Sequence, residues 1–98
     1  MAKKIRENND ELVQHYLKSA DFRMGIYCGY LKKPEDIRGL FNSVSYLSDA
    51  EVDLINAGRF VSKELRPSVD SYWKKLGLLR EIHRNLLEAK FDGNPLAA

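Results

Sequence analysis

The sequence is poor in the residues that build reactive centres, with one cysteine, Cys28, and two histidines, His15 and His83, in 98 residues. A single cysteine cannot close an internal disulfide. Its place in an apolar run predicts a reduced thiol packed inside a cytoplasmic protein. One thiol and two distant imidazoles do not make a zinc site, and no acidic loop has calcium-ligand spacing. Asp49 and Asp53 share a helical face, but acids near the start of a helix are expected on dipole grounds. No glycine-rich loop is present to cradle a phosphate. Cys28 and His15 would stand ~20 Å apart on one helix, and no local motif brings His83 to the thiol. The chain is therefore expected to have no catalytic residue, no metal and no cofactor.

Glycine and proline are also scarce, at six and three residues, which argues against a hairpin-rich sheet protein. Long hydrophobic runs are missing. The most apolar stretch, Phe22 to Leu31, is about half of the ~20 residues a bilayer requires and contains Arg23, so no membrane span is expected. The charged opening Met1 to Asp10 is followed by no hydrophobic region, and no secretory leader is expected. Sixteen cations against fourteen anions leave a net charge of +2, too little for indiscriminate nucleic-acid binding. Any basic footprint has to be local.

What the chain has is helical periodicity, in a composition 44% apolar and 31% charged that suits one globular core. Asn9 or Asp10 can cap a first helix, in which Leu12, Val13, Tyr16, Leu17, Ala20, Met24, Tyr27, Cys28 and Leu31 recur at spacings of three and four. Phe22, Ile26 and Tyr30 add a second apolar line. Gly25 and Gly29, four apart, predict close approach of another helix, inside the fold or in a dimer. Lys32, Lys33 and Pro34, followed by Glu35 and Asp36, mark an end and a new start. A second helix then carries Ile37, Leu40, Phe41, Val44 and Leu47 and ends near Tyr46 or Leu47. Ser48 and Glu51 have the spacing of a capping box for a third helix, expected to run to about Leu65 with a core line of Val52, Leu54, Ile55, Gly58, Val61 and Leu65. Pro67 or Ser68 starts a fourth, built on Val69, Tyr72, Trp73, Leu76, Leu79, Ile82, His83, Leu86 and Leu87, with Gly77 a candidate kink. The expected fold is all-α: a single domain over residues 1–98, a small bundle of four helices, or five if the first breaks near Ser19 to Asp21. Residues 1–8 are expected to form a basic flexible arm and residues 92–98 a short tail.

The surface is expected to carry the function. Arg59, Lys63 and Arg66 form a basic line, and Lys74, Lys75, Arg80 and Arg84 extend it on the fourth helix. Ten aromatic residues in so short a chain, among arginines, are of the types enriched at binding hot spots. The partner-binding residues are accordingly expected to be Arg59, Phe60, Lys63, Arg66, Pro67, Arg80 and Arg84. Lys3, Lys4 and Arg6 add a basic arm. The same cations could instead meet phosphates, so the alternative reading is a small dimeric DNA-binding regulator.

A short helical chain with the arm Lys3-Lys4-Ile5-Arg6, a lone cysteine and the connection Arg66-Pro67-Ser68 resembles the small host-takeover proteins of bacteriophages. Among them it resembles the lambdoid-phage anti-RecBCD type. The resemblance implies a non-enzymatic protein of the host cytoplasm that binds a host helicase–nuclease and alters its action. A prolyl isomerase acting at Pro67 is a further partner this reading admits.

Overall fold

A computed structural model describes the backbone of residues 2–33 and 35–92, and side chains within 9–33 and 35–89. All of its regular structure is helical: α1 (Ala2–Leu31), α2 (Ile37–Asn42), α3 (Val44–Phe60) and α4 (Arg66–Asp92). The backbone of residues 2–8, expected as a flexible arm, is helical and continuous with α1; the tail beyond Asp92 lies outside the described residues. Neither Ser19–Asp21 nor Gly77 interrupts its helix.

Only Ser43 separates α2 from α3, and its own backbone is helical, with φ −66° and ψ −15°. The two segments are one bent rod, so the expected four or five helices reduce to three rods. The bend has a local cause. The Ser43 hydroxyl donates to the Leu40 carbonyl at 2.6 Å, while the Tyr46 amide reaches back only three residues to the Ser43 carbonyl. The Ser48–Glu51 capping box does not start a helix, because Ala50 faces the core and the helix runs through it. Asp36 does cap α2, its carboxylate accepting from the Gly39 amide at 2.9 Å. At the other turn, α3 stops at Phe60, short of the expected Leu65, where Val61 becomes extended. Pro67 sits in the first turn of α4, where no amide hydrogen is needed, and no described peptide bond is cis.

Side-chain pairs fix the register. Tyr27 meets His83 and Asp21 meets Lys75, so α1 and α4 run parallel. Arg23 meets Asp53 and Tyr30 stacks on Tyr46, so α3 runs against α1; Glu51 meets Arg80, so it also runs against α4. The outcome is an up-down-up bundle measuring 64 × 17 × 16 Å. Its radius of gyration, 16.8 Å, exceeds the ~13 Å of a compact chain of this length.

Each rod carries an alternation of threes and fours. Val13, Leu17, Ala20, Met24 and Tyr27 are buried on α1; Leu40, Ser43, Leu47, Ala50, Leu54 and Ala57 on α2–α3; Val69, Leu76, Leu79 and His83 on α4. That is a heptad repeat, the pattern of helices wound around one another with a left-handed twist. The register stacks Leu17 with Ala57 and Tyr72, Ala20 with Leu54 and Leu76, and Met24 with Ala50 and Leu79. One alanine per layer leaves room for two large side chains, the small-beside-large alternation by which layers interdigitate. The next layer is polar: Tyr27 and His83 beside Leu47.

Several expected core residues face water instead. Val52 and Ile55 of α3 are exposed, as are Ile37, Phe41 and Val44 of the bent rod and Ile82 of α4. The reason is period. A core seam repeating every 3.5 residues selects Ala50 and Ala57, and the larger side chains one position away are turned outward. Gly25 and Gly29 also point outward, with nothing within 4 Å of a built Cβ, so they do not serve internal helix contact.

Candidate interaction surface

The buried polar layer is the only place where titratable side chains meet inside the described core. Tyr27 Oη lies 2.7 Å from His83 Nδ1, with the rings edge-on at 5.4 Å between centroids. Burial lowers the His83 pKa below its ordinary 6.5 and pushes that of Tyr27 up to about 12, with the neighbouring Cys28 thiol adding to the latter. Both groups are therefore neutral at physiological pH. With the ring proton on Nε2, the phenol donates to Nδ1 and each satisfies the other. His83 is engaged by Tyr27, and Cys28 is only half-buried at the edge of the core. The layer thus does structural work, rejecting any register that would not set His83 opposite Tyr27.

The residues expected to bind a partner fall into two groups. Arg59 and Phe60 end α3, Lys63 lies in the turn, and Arg66 and Pro67 open α4; all five are exposed at one end of the rod. Arg80 and Arg84 stand fourteen or more residues farther along α4, ~21 Å away at 1.5 Å per residue, and do not join that group. Arg80 is half-buried and paired with Glu51 at 2.6 Å. Arg84 lines a shallow depression with Gly77, Arg80 and Glu81. Lys3, Lys4 and Arg6 belong to the helical backbone of α1, on the overhang nearest the α3–α4 turn; their side chains lie outside the described residues. Tyr30 and Tyr46 stack at 6.4 Å between ring centroids across the α1–α3 seam.

A third set comprises residues whose sequence pattern predicts burial. Ile37, Phe41, Val44, Val52 and Ile55 are 48%, 56%, 37%, 55% and 46% exposed; Ile37 and Val44 share the heptad position of Glu51, beside α4, Phe41 and Ile55 lie next to it, and Val52 lies on the outer edge with Arg38 and Arg59. With Ser48 between them they are spaced by three and four, so they form a second apolar stripe ~27 Å long. The register sets Leu87 beside Val44 and Trp73 beside Ile55, which extends the stripe into a groove between α3 and α4. Five large apolar side chains, each more than a third exposed on one face, make a patch of the kind that marks a contact site. The signal was present in the sequence: Leu40, Ser43, Leu47, Ala50, Leu54 and Ala57 carry an unbroken heptad, which turns these larger neighbours outward.

No helix among the described residues is long and apolar enough to cross a membrane. Comparison of the chain with protein-family models, with curated proteins and with solved structures finds no match.

Proposed function

We propose that this chain is a small binding protein without enzymatic activity, which inhibits or redirects a larger host protein by laying its α3–α4 side against it. The observation that carries this reading is the second apolar stripe. A rod whose core is complete keeps five large apolar side chains in water on one face, at a continuing cost in solubility that a docked partner would remove. Arg59, Phe60, Lys63, Arg66 and Pro67 lie at one end of that face and Arg80 and Arg84 along it, which supplies hot-spot residue types around an apolar centre. Following the resemblance to phage host-takeover proteins, the partner is a host helicase–nuclease and the compartment is the host cytoplasm.

Affinity capture from a bacterial lysate, followed by mass spectrometry, tests this with the wild-type chain beside Val52→Glu/Ile55→Glu. The expected result is one protein retained by the wild type and lost from the variant, both chains giving the same helical circular dichroism. Equal capture by the two would refute the assignment of the face.

The second reading, a dimeric DNA-binding regulator, is favoured by the gathering of exposed Arg59, Lys63 and Arg66 at the end of the rod where α1 overhangs with Lys3, Lys4 and Arg6. It predicts binding of random duplex that falls log-linearly with salt and disappears when Arg59, Lys63 and Arg66 are neutralised. A gel-shift titration at several salt concentrations decides between them.

A further inference from the structure

We infer that the occupant of the α3–α4 groove is an amphipathic helix of the partner with acidic flanks, which turns the three-rod bundle into a four-helix one. This rests on the α3–α4 side being the binding face and adds the chemistry of what binds there.

The shape argues for a helix. Ile37, Phe41, Val44, Ser48, Val52 and Ile55 recur at spacings of three and four, the period of one helical face, over ~27 Å, the length of about five turns. The groove is open, with Gly77 on its α4 wall carrying no side chain.

The charges argue for acids. Arg38 and Arg59 stand three heptads apart on the outer edge of the bent rod, one toward each end of the stripe, and Arg84 lies on the opposite wall near its middle. None of these three has an ion-pair partner among the described residues, whereas Arg80 is already matched by Glu51. A docked helix carrying acids near both ends of its α3-facing edge, and near the centre of its α4-facing edge, would meet all three guanidiniums.

The same charges argue against a second copy. Antiparallel pairing about a two-fold would set Ile37 near Ile55 and Phe41 near Val52, which suits the apolar floor. It would also bring the two Arg84 side chains together near the axis and line both rims with arginine. Like charges brought together at an interface oppose association, which disfavours a second copy as the occupant of this face.

Two synthetic helical peptides of about five turns test the inference, both with leucine at the a and d positions, one with glutamate and one with lysine at e and g. Binding to the full-length chain is read by fluorescence anisotropy, and the oligomeric state by sedimentation. The expected outcome is a monomer that binds the glutamate peptide at least about tenfold more tightly than the lysine peptide, the difference shrinking as salt rises. Ile55→Glu should abolish binding of both peptides, and Arg38→Glu/Arg84→Glu should reverse the preference. Because these side chains are exposed, an unchanged thermal melt establishes that each variant is folded. Equal binding of the two peptides, or binding of neither, overturns the inference, as does a dimer dissociated by Ile55→Glu. If neither peptide binds while lysate capture still depends on Ile55, the acidic helix is wrong and the binding face stands; if capture ignores Ile55, the face itself is wrong.

Discussion

Replacing Tyr27 by Phe removes one oxygen from the centre of the bundle and leaves the buried His83 Nδ1 without its partner at 2.7 Å. Little volume changes, so the cost is that of a buried polar atom left unsatisfied, about 1–3 kcal/mol. For a domain of this length each kcal/mol is worth roughly 4–8 °C in melting temperature, and the expected drop is roughly 5–20 °C. His83→Leu strands the Tyr27 hydroxyl in the same way. Its loss should be smaller, because leucine returns apolar contact at a heptad position. The double variant Tyr27→Phe/His83→Leu removes both polar groups and should melt near the wild type or above it. Urea unfolding of all four proteins, followed by circular dichroism at neutral pH, gives the coupling between the two sites, expected to be at least about 1 kcal/mol. If the double variant loses the sum of the two single losses, the side chains act independently and the polar layer is not a unit.

The same layer sets two limits of pH. His83 is harder to protonate in the fold than in the unfolded chain, so its contribution is complete above pH 6.5 and is lost as pH falls from there toward its lowered native value; His83→Leu should flatten this part of an acid titration of stability. Tyr27 is harder to ionise in the fold, so stability should decline as pH rises from 10 to about 12, by on the order of 2–3 kcal/mol in all, and Tyr27→Phe should remove that decline. Ala50→Leu, at a fully buried position sharing its layer with Met24 and Leu79, should overpack the core and cost about 1–3 kcal/mol in a urea titration. Arg23→Ala breaks contacts to Asp49 at 3.0 Å and Asp53 at 3.2 Å on a half-exposed surface; the loss should stay below about 1 kcal/mol and shrink in high salt. Asp36→Ala removes the cap of a short helix and should cost about 0.5–2 kcal/mol by the same titration.

The first and last rods were legible in the sequence because their core residues are large. Val13, Leu17, Met24 and Tyr27, and likewise Val69, Leu76, Leu79 and His83, stand out from their neighbours whichever helical period is assumed. The middle rod was not, because its seam is built from Ser43, Ala50 and Ala57, flanked by Val44, Val52 and Ile55, which are more apolar and yet exposed. Hydrophobicity read residue by residue puts the larger side chains inside. Only the requirement that α1, α3 and α4 share layers, with small residues opposite large ones, reverses the assignment. The capping box failed for a related reason: burial of Ala50 and Leu47 outweighs what Ser48 and Glu51 could gain at a helix end. The basic residues at the α3–α4 turn were correctly expected at the surface, but their distance from Arg80 and Arg84 follows from the length of α4, which composition does not reveal. The groove came into view only with the register.

An odd number of rods has a mechanical consequence. Because α1 and α4 run parallel, Ala2 and Asp92 emerge at opposite ends of a body 64 Å long. Tension applied between those two points cannot peel the helices apart one turn at a time; it has to slide α1 past α4, with every layer from Val13 to His83 resisting together. A protein held at both ends would therefore transmit force as a strut, and the alignment set by Tyr27 and His83 would be among the last features to yield.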